Sequence, residues 1–272
     1  MAALSISRAW EESKAILAHD GRLIASVALA LVSLPVAVSG LIDPKGMSGS
    51  GSVWGDALVL LASLLALAGQ LAIIRLALGP SITVGAAITH GLRRVPVYLL
   101  SAILIVFVLL ILAIPFAVVL SLSGVPMEAE TIPVTPTTVV LLLLFLAVVF
   151  WLAVRMLMTA PVASAEHVGP IAIIRRSWVL TTGHWGRLLG FLLIFFIGAI
   201  IVLLAIGTLT GVVAQILLGP VEAMSPSALL VALVGAVANA AVTALFAVML
   251  ARIYAQLAGG ADVQASVPIS GT

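Results

Sequence analysis

The chain has 272 residues, of which 63% are hydrophobic and only 8% charged, with a formal net charge of +2. A water-soluble domain is usually about 45–50% apolar and roughly 25% charged. A soluble enzyme, a disordered chain and a nucleic-acid binder are therefore excluded, and the mean hydropathy of +1.35 points to a lipid bilayer as the solvent.

About 20 apolar residues in a helix cross a hydrocarbon core of about 30 Å. Residues 1–22 are too polar to cross and read as an amphipathic cytoplasmic segment, with Ile6, Trp10 and Leu17 on one side and Arg8, Glu11, Glu12 and Lys14 on the other. The acids there argue against a cleaved signal peptide, so the first span, 23–42, is expected to stay as an anchor. Further spans are expected at 54–78, 97–122, 137–158, 188–218 and 227–249, with 250–272 as a cytoplasmic tail. Between them, Val84, Ile88, Leu92 and Val95 form a helical apolar stripe, and Gly169-Pro170 opens a second short helix with Ile171, Ile174 and Trp178 aligned and Thr181 nearby. Such segments lie in the interface, with Trp at headgroup depth. The expected fold is all-α: one polytopic bundle of six transmembrane helices plus short interfacial helices.

Eleven of the twelve basic residues fall on one side of this scheme, and Lys45 alone on the other. By the positive-inside rule both termini are cytoplasmic. Ten of the twelve are Arg, a usage that suggests a GC-rich bacterial genome and hence the bacterial inner membrane. Asp43, Asp56, Glu128, Glu130 and Glu222 make the opposite face negative.

A repeat is visible in His19-Asp20-Gly21-Arg22-Leu23 and His184-Trp185-Gly186-Arg187-Leu188, with a looser echo in His90-Gly91-Leu92-Arg93-Arg94. The second, fourth and sixth spans each end near an Arg: Arg75, Arg155 and Arg252. The pattern suggests three equivalent pairs of spans, although helices of one direction also share the same end chemistry. If the pairs are equivalent, Arg93, Arg94, Arg175, Arg176 and Arg187 form a basic vestibule for a lipid headgroup or small anion. The plainer role for these arginines is anchoring at the phosphates.

Within the spans, Gln70, Asn239 and Thr243 are the candidate polar positions. Ala228, Ala232, Ala236, Ala240 and Ala244 form a small-residue stripe, and Gly207-x-x-x-Gly211 a second. Both read as intramolecular packing, with an oligomer contact or helix–helix partner as the alternative. No Asp or Glu lies in the core of a span, which argues against a proton pump.

Catalytic patterns fail individually. Gly46-Met47-Ser48-Gly49 falls on the face opposite all four His, so its Ser has no base in reach. Glu166-His167 and His184 lack the spacing of a metal site. With no cysteine there is no thiolate chemistry. No catalytic, cofactor-binding or metal residue is assigned. The expected partners are membrane lipids, anionic ones included, and no nucleic acid. The expected function is a non-enzymatic lipid-binding or scaffolding membrane component, with a carrier of a lipid or small anionic solute as the alternative.

The stretch 169–190, with Gly169-Pro170, Arg175-Arg176-Ser177-Trp178, Thr181-Thr182-Gly183 and Leu188-Leu189-Gly190, resembles the membrane domain of some bacterial glycerophosphoryl diester phosphodiesterases. The Ala9-Trp10 stretch and 252–257 are similar to stand-alone members. The resemblance implies a membrane domain only. In that family the diesterase chemistry belongs to a separate soluble barrel, for which this chain has no room.

Overall fold

A computed structural model describes residues 4–35, 37, 53–79, 82–122, 135–222 and 225–265, with 53–56 and 260–265 described as backbone only. Every regular element among them is a helix. These are α1 (Ile6–Ala28), running into a π-helical turn (Leu29–Ser33), α2 (Val53–Leu78), α3 (Val84–Leu122), α4 (Pro136–Arg155), α5 (Thr159–Ala165), α6 (Pro170–Thr181), α7 (Trp185–Leu218) and α8 (Pro226–Ala265). Six of these helices are long and apolar enough to cross a membrane, which makes the chain a helical, multi-pass membrane bundle. Lys45, the Gly46–Gly49 run, Asp43, Glu128 and Glu130 lie outside the described residues, as do the end of the expected first span and the last residues of the tail.

Helix ends follow local chemistry. Ser5, Thr135 and Ser225 accept hydrogen bonds from the amides of Arg8, Thr138 and Ala228, which caps α1, α4 and α8. Pro136, Pro170 and Pro226 occupy first turns, where no amide hydrogen is missed. Gly183, at φ +81°, lets the chain turn back after α6.

Three expected boundaries are corrected. The amphipathic segment 1–22 is not a separate interfacial helix, because α1 runs from Ile6 through Ala28 without interruption. The segment 84–95 is likewise continuous with the third span, and Pro96 sits inside α3. A proline removes one backbone hydrogen bond, which neighbouring helices in a membrane protein make tolerable. The tail begins as helix too, since α8 continues to Ala265. At about 1.5 Å per residue, the 39-residue α3 and the 40-residue α8 are about 58–60 Å long, roughly twice the hydrocarbon thickness.

The buried faces mix small, hydroxyl-bearing and aliphatic residues. In α3, Ala87, Gly91 and Val95 are buried and Val84 and Ile88 are half-buried against the core, while Leu92 is exposed. In α6 the buried residues are Ile173, Ser177, Leu180 and Thr181, while Ile171 and Trp178 point out. In α1 they are Ala9, Ser13, Ile24, Val27 and Ala28, with Ile6 and Leu17 half-buried against the core and Trp10 41% exposed. Small and hydroxyl-bearing residues permit close approach, and lipid accommodates the large apolar side chains left outside.

Helix α2 is central, packing on α1, α3, α5 and α8. The closest approach is at Gly91, where a Cβ would sit 2.5 Å from the Ala68 carbonyl oxygen. Gly69 meets the π-turn, a Cβ there lying 2.8 Å from Leu31 Cβ. The Ala stripe of α8 does face the bundle, with Ala228, Ala236, Ala240 and Ala244 buried. Gly207 and Gly211 do not: a Cβ at either meets no described residue within 4 Å, so the intramolecular reading of that motif is corrected among the described residues. The core is lopsided. Its large buried side chains, among them Leu71, Ile74, Ile173, Leu188, Leu250 and Ile253, gather where the arginines are. The opposite halves of α3, α4 and α7 hold almost no buried residue, their side chains being exposed or half-buried.

Candidate functional site

Two features stand out at the basic end: a polar cluster around Glu166 and an apolar groove between α1, α7 and α8.

The polar cluster grows from the ends of short helices. A helix leaves its last carbonyls without internal partners. Helix α5 ends at Ala165, and its terminal carbonyls are met from α3. His90 Nε2 lies 2.8 Å from the Ser164 carbonyl, and an Arg94 guanidinium nitrogen donates to the Glu166 carbonyl at 2.6 Å. Because a carbonyl only accepts, Nε2 of His90 carries the hydrogen in that contact. Ser164 Oγ donates to the Leu71 carbonyl of α2 at 2.9 Å. The Glu166 carboxylate then binds two further elements: its Oε1 accepts from Arg176 Nε of α6 at 3.0 Å and from the Tyr254 hydroxyl of α8 at 2.8 Å. The His167 ring stands edge-on to His90, with centroids 5.9 Å apart. One carboxylate and its own backbone thus join α3, α5, α6 and α8.

Helix α4 is closed in the same manner. The Arg155 carbonyl accepts from Ser177 Oγ of α6 at 2.7 Å. The Arg155 guanidinium lies 5.7 Å and 5.2 Å from the ring centroids of Trp151 and Trp178, and donates to Thr182 Oγ1 at 3.0 Å. A cation over indole faces at a partly wet surface contributes about 0.5–1 kcal/mol per ring. Glu12 of α1 lies between Arg8 and Arg252, at 2.8 Å and 2.9 Å, and so ties α1 to α8.

The five arginines of the expected vestibule therefore separate. Arg94 and Arg176 meet at Glu166. Arg93 and Arg175 are exposed. Arg187 is also exposed and reaches the Leu4 carbonyl at 3.4 Å, beside α1. Gln70, Asn239 and Thr243 are half-buried on α2 and α8. Sequence reasoning weighed Glu166 only as a metal ligand, met Tyr254 only within the 252–257 resemblance and did not single out Ser164, so it missed their meeting. The signal for Glu166 was present: it is the one acid in the 79–96 and 159–187 segments, among five arginines. Among the described residues no three His, Asp or Glu side chains gather to hold a metal ion.

The groove is different in kind. Its walls include Ile6 and Trp10 of α1, Phe191, Gly198 and Val202 of α7, and Leu245 of α8, enclosing about 680 Å³. Among the described residues Ser7 is the only hydroxyl-bearing one in the lining, and no charged residue belongs to it. Phe191 stacks on Phe246 of α8, centroids 6.2 Å apart, and this aromatic contact fixes the back of the groove. Ile194 at 76% and Val202 at 48% exposure show that it opens sideways, toward the surrounding medium.

Residues 4–257 match a family described as a domain of unknown function, DUF7847. The chain belongs to that family. The match spans α1 to the inner part of α8 and so takes in both the Glu166 cluster and the groove. No curated protein and no solved structure matches the chain.

Proposed function

We propose that this DUF7847 member is a non-enzymatic, lipid-binding component of the bacterial inner membrane, with both termini cytoplasmic. The observation that supports this reading is the lateral groove. An apolar concavity facing water would be left empty or would aggregate. Facing hydrocarbon, it offers a lipid chain more contact than the fluid bilayer does. The polar side chains that meet on the basic face are engaged in closing helix ends, which favours a structural role for them over acid–base chemistry. An Arg-lined carrier vestibule is less well supported, because Arg94 and Arg176 are spent on Glu166. The likeness of 169–190 to the diester phosphodiesterase membrane domain would fit such a role and adds no activity to it.

Native mass spectrometry from mild detergent tests the reading. Gly198 lines the groove and no described residue comes within 4 Å of a Cβ there, so Gly198→Phe directs a ring into the groove space. The parent is expected to retain lipid and the variant to lose it. Equal retention by both would overturn the assignment.

A further inference from the structure

The groove is apolar along its walls, and its length is informative. Along α7 it runs from Phe191 to Val202, eleven helical steps, or about 16 Å. That is about half of a hydrocarbon core of about 30 Å, the depth of one leaflet. Helix α7 begins at the basic end, so the groove starts there and stops near the midplane. Residues four apart on a helix share a face, which places Arg187 one turn before Phe191, at the mouth.

The chemistry of that mouth is cationic. Arg187 is exposed there and donates to the Leu4 carbonyl at 3.4 Å. The first turn of α7 adds backbone donors, because its N-cap, His184, makes no side-chain capping bond. The buried Nε1 of Trp185, the first residue of α7, has no acceptor among the described residues. Uncapped amides and a guanidinium together suit a phosphate.

We propose that the groove seats one acyl chain of an anionic phospholipid from the leaflet on the basic side, with its phosphate held by Arg187 and the first turn of α7. This deepens the lipid-binding reading and rests on it. A zwitterionic lipid offers the same chain but no net negative charge for Arg187. The site thus distinguishes lipids by headgroup while the groove accepts the chain.

The test is a titration of the full-length protein in mild detergent with dioleoyl phosphatidylglycerol or dioleoyl phosphatidylcholine, read by native mass spectrometry. The parent is expected to favour phosphatidylglycerol by about fivefold or more, the worth of one basic residue at a membrane surface. Arg187→Gln should remove that preference and still bind phosphatidylcholine. Arg175→Gln, which deletes an exposed charge on the same face away from the mouth, should keep it. Gly198→Phe should lose both lipids, whereas Gly207→Phe, equally open but outside the groove, should lose neither. A preference that survives Arg187→Gln, or that falls equally in Arg175→Gln, would overturn the headgroup assignment. Binding of both lipids without preference, abolished by Gly198→Phe, would overturn it while leaving the groove as a lipid seat. Absence of any retained lipid in the parent would overturn both.

Discussion

Glu166→Gln is the sharpest probe of how the basic end is held together. The substitution keeps the shape of the side chain and removes its charge. The ion pair with Arg176 becomes a hydrogen bond from a charged donor to a neutral acceptor, and the bond from Tyr254 becomes neutral at both ends. Bonds to charged groups contribute about 1.5–3 kcal/mol and neutral ones about 0.5–1.5, so the Tyr254 bond loses about 1 kcal/mol and the Arg176 contact no more than that. The carboxylate is 24% exposed and Arg176 is 32% exposed, so water recovers part of the loss and about 2 kcal/mol is the upper expectation. The Arg94 bond goes to the backbone of Glu166 and survives. For a chain of this size, that corresponds to a Tm lower by about 4–8 °C, followed in detergent by size-exclusion after heating. The same measurement on Arg176→Gln and on the double variant completes a cycle. Coupling of about 1 kcal/mol between the two sites is expected, and Arg175→Gln should shift Tm by less than about 0.5 kcal/mol equivalent. A Glu166→Gln protein that melts within a degree of the parent, or a cycle that is strictly additive, would refute the proposed junction.

Two further expectations follow from the packing and the charge asymmetry. Gly91→Ala drives a methyl group into the Ala68 carbonyl and should cost about 1–3 kcal/mol, lowering both Tm and the yield of monodisperse protein. Gly21→Ala, which meets nothing within 4 Å, should be neutral or stabilising by up to about 1 kcal/mol through helix propensity; equal effects of the two would count against the α2–α3 contact. Because the chain has no cysteine, single Cys variants report sidedness directly. Arg175→Cys should react with an impermeant maleimide only after cells are opened, and Glu222→Cys should react in intact cells. The reverse pattern would invert the orientation.

The helical class and the number of crossing helices were legible because length and apolarity report the solvent directly. Val84, Ile88 and Val95 of the expected apolar stripe meet the core and Leu92 is exposed, but the closest contact is made by Ala87 and Gly91, small residues that an apolar pattern does not mark. In α6, Ile171 and Trp178 of the aligned residues point out, while Ile173 and Ser177 are buried. The arginines of the basic face were visible, but their pairing was not. Arg94 and Arg176 are eighty-two residues apart in the chain and meet only because α3 and α6 both adjoin the end of α5. The groove could not be read at all. It depends on Gly198 and its neighbours facing the α1–α8 seam, and no periodicity marks that seam.

The uneven distribution of packing has a mechanical meaning. Ion pairs and capped helix ends fasten the helices together at one rim, where the large buried side chains also lie. At the other rim α3, α4 and α7 touch mostly hydrocarbon. Such a body is stiff where it meets the phosphates of one leaflet and compliant in the other. A bilayer that thickens or thins is met by the loose ends of its staves, and the fastened rim keeps its shape.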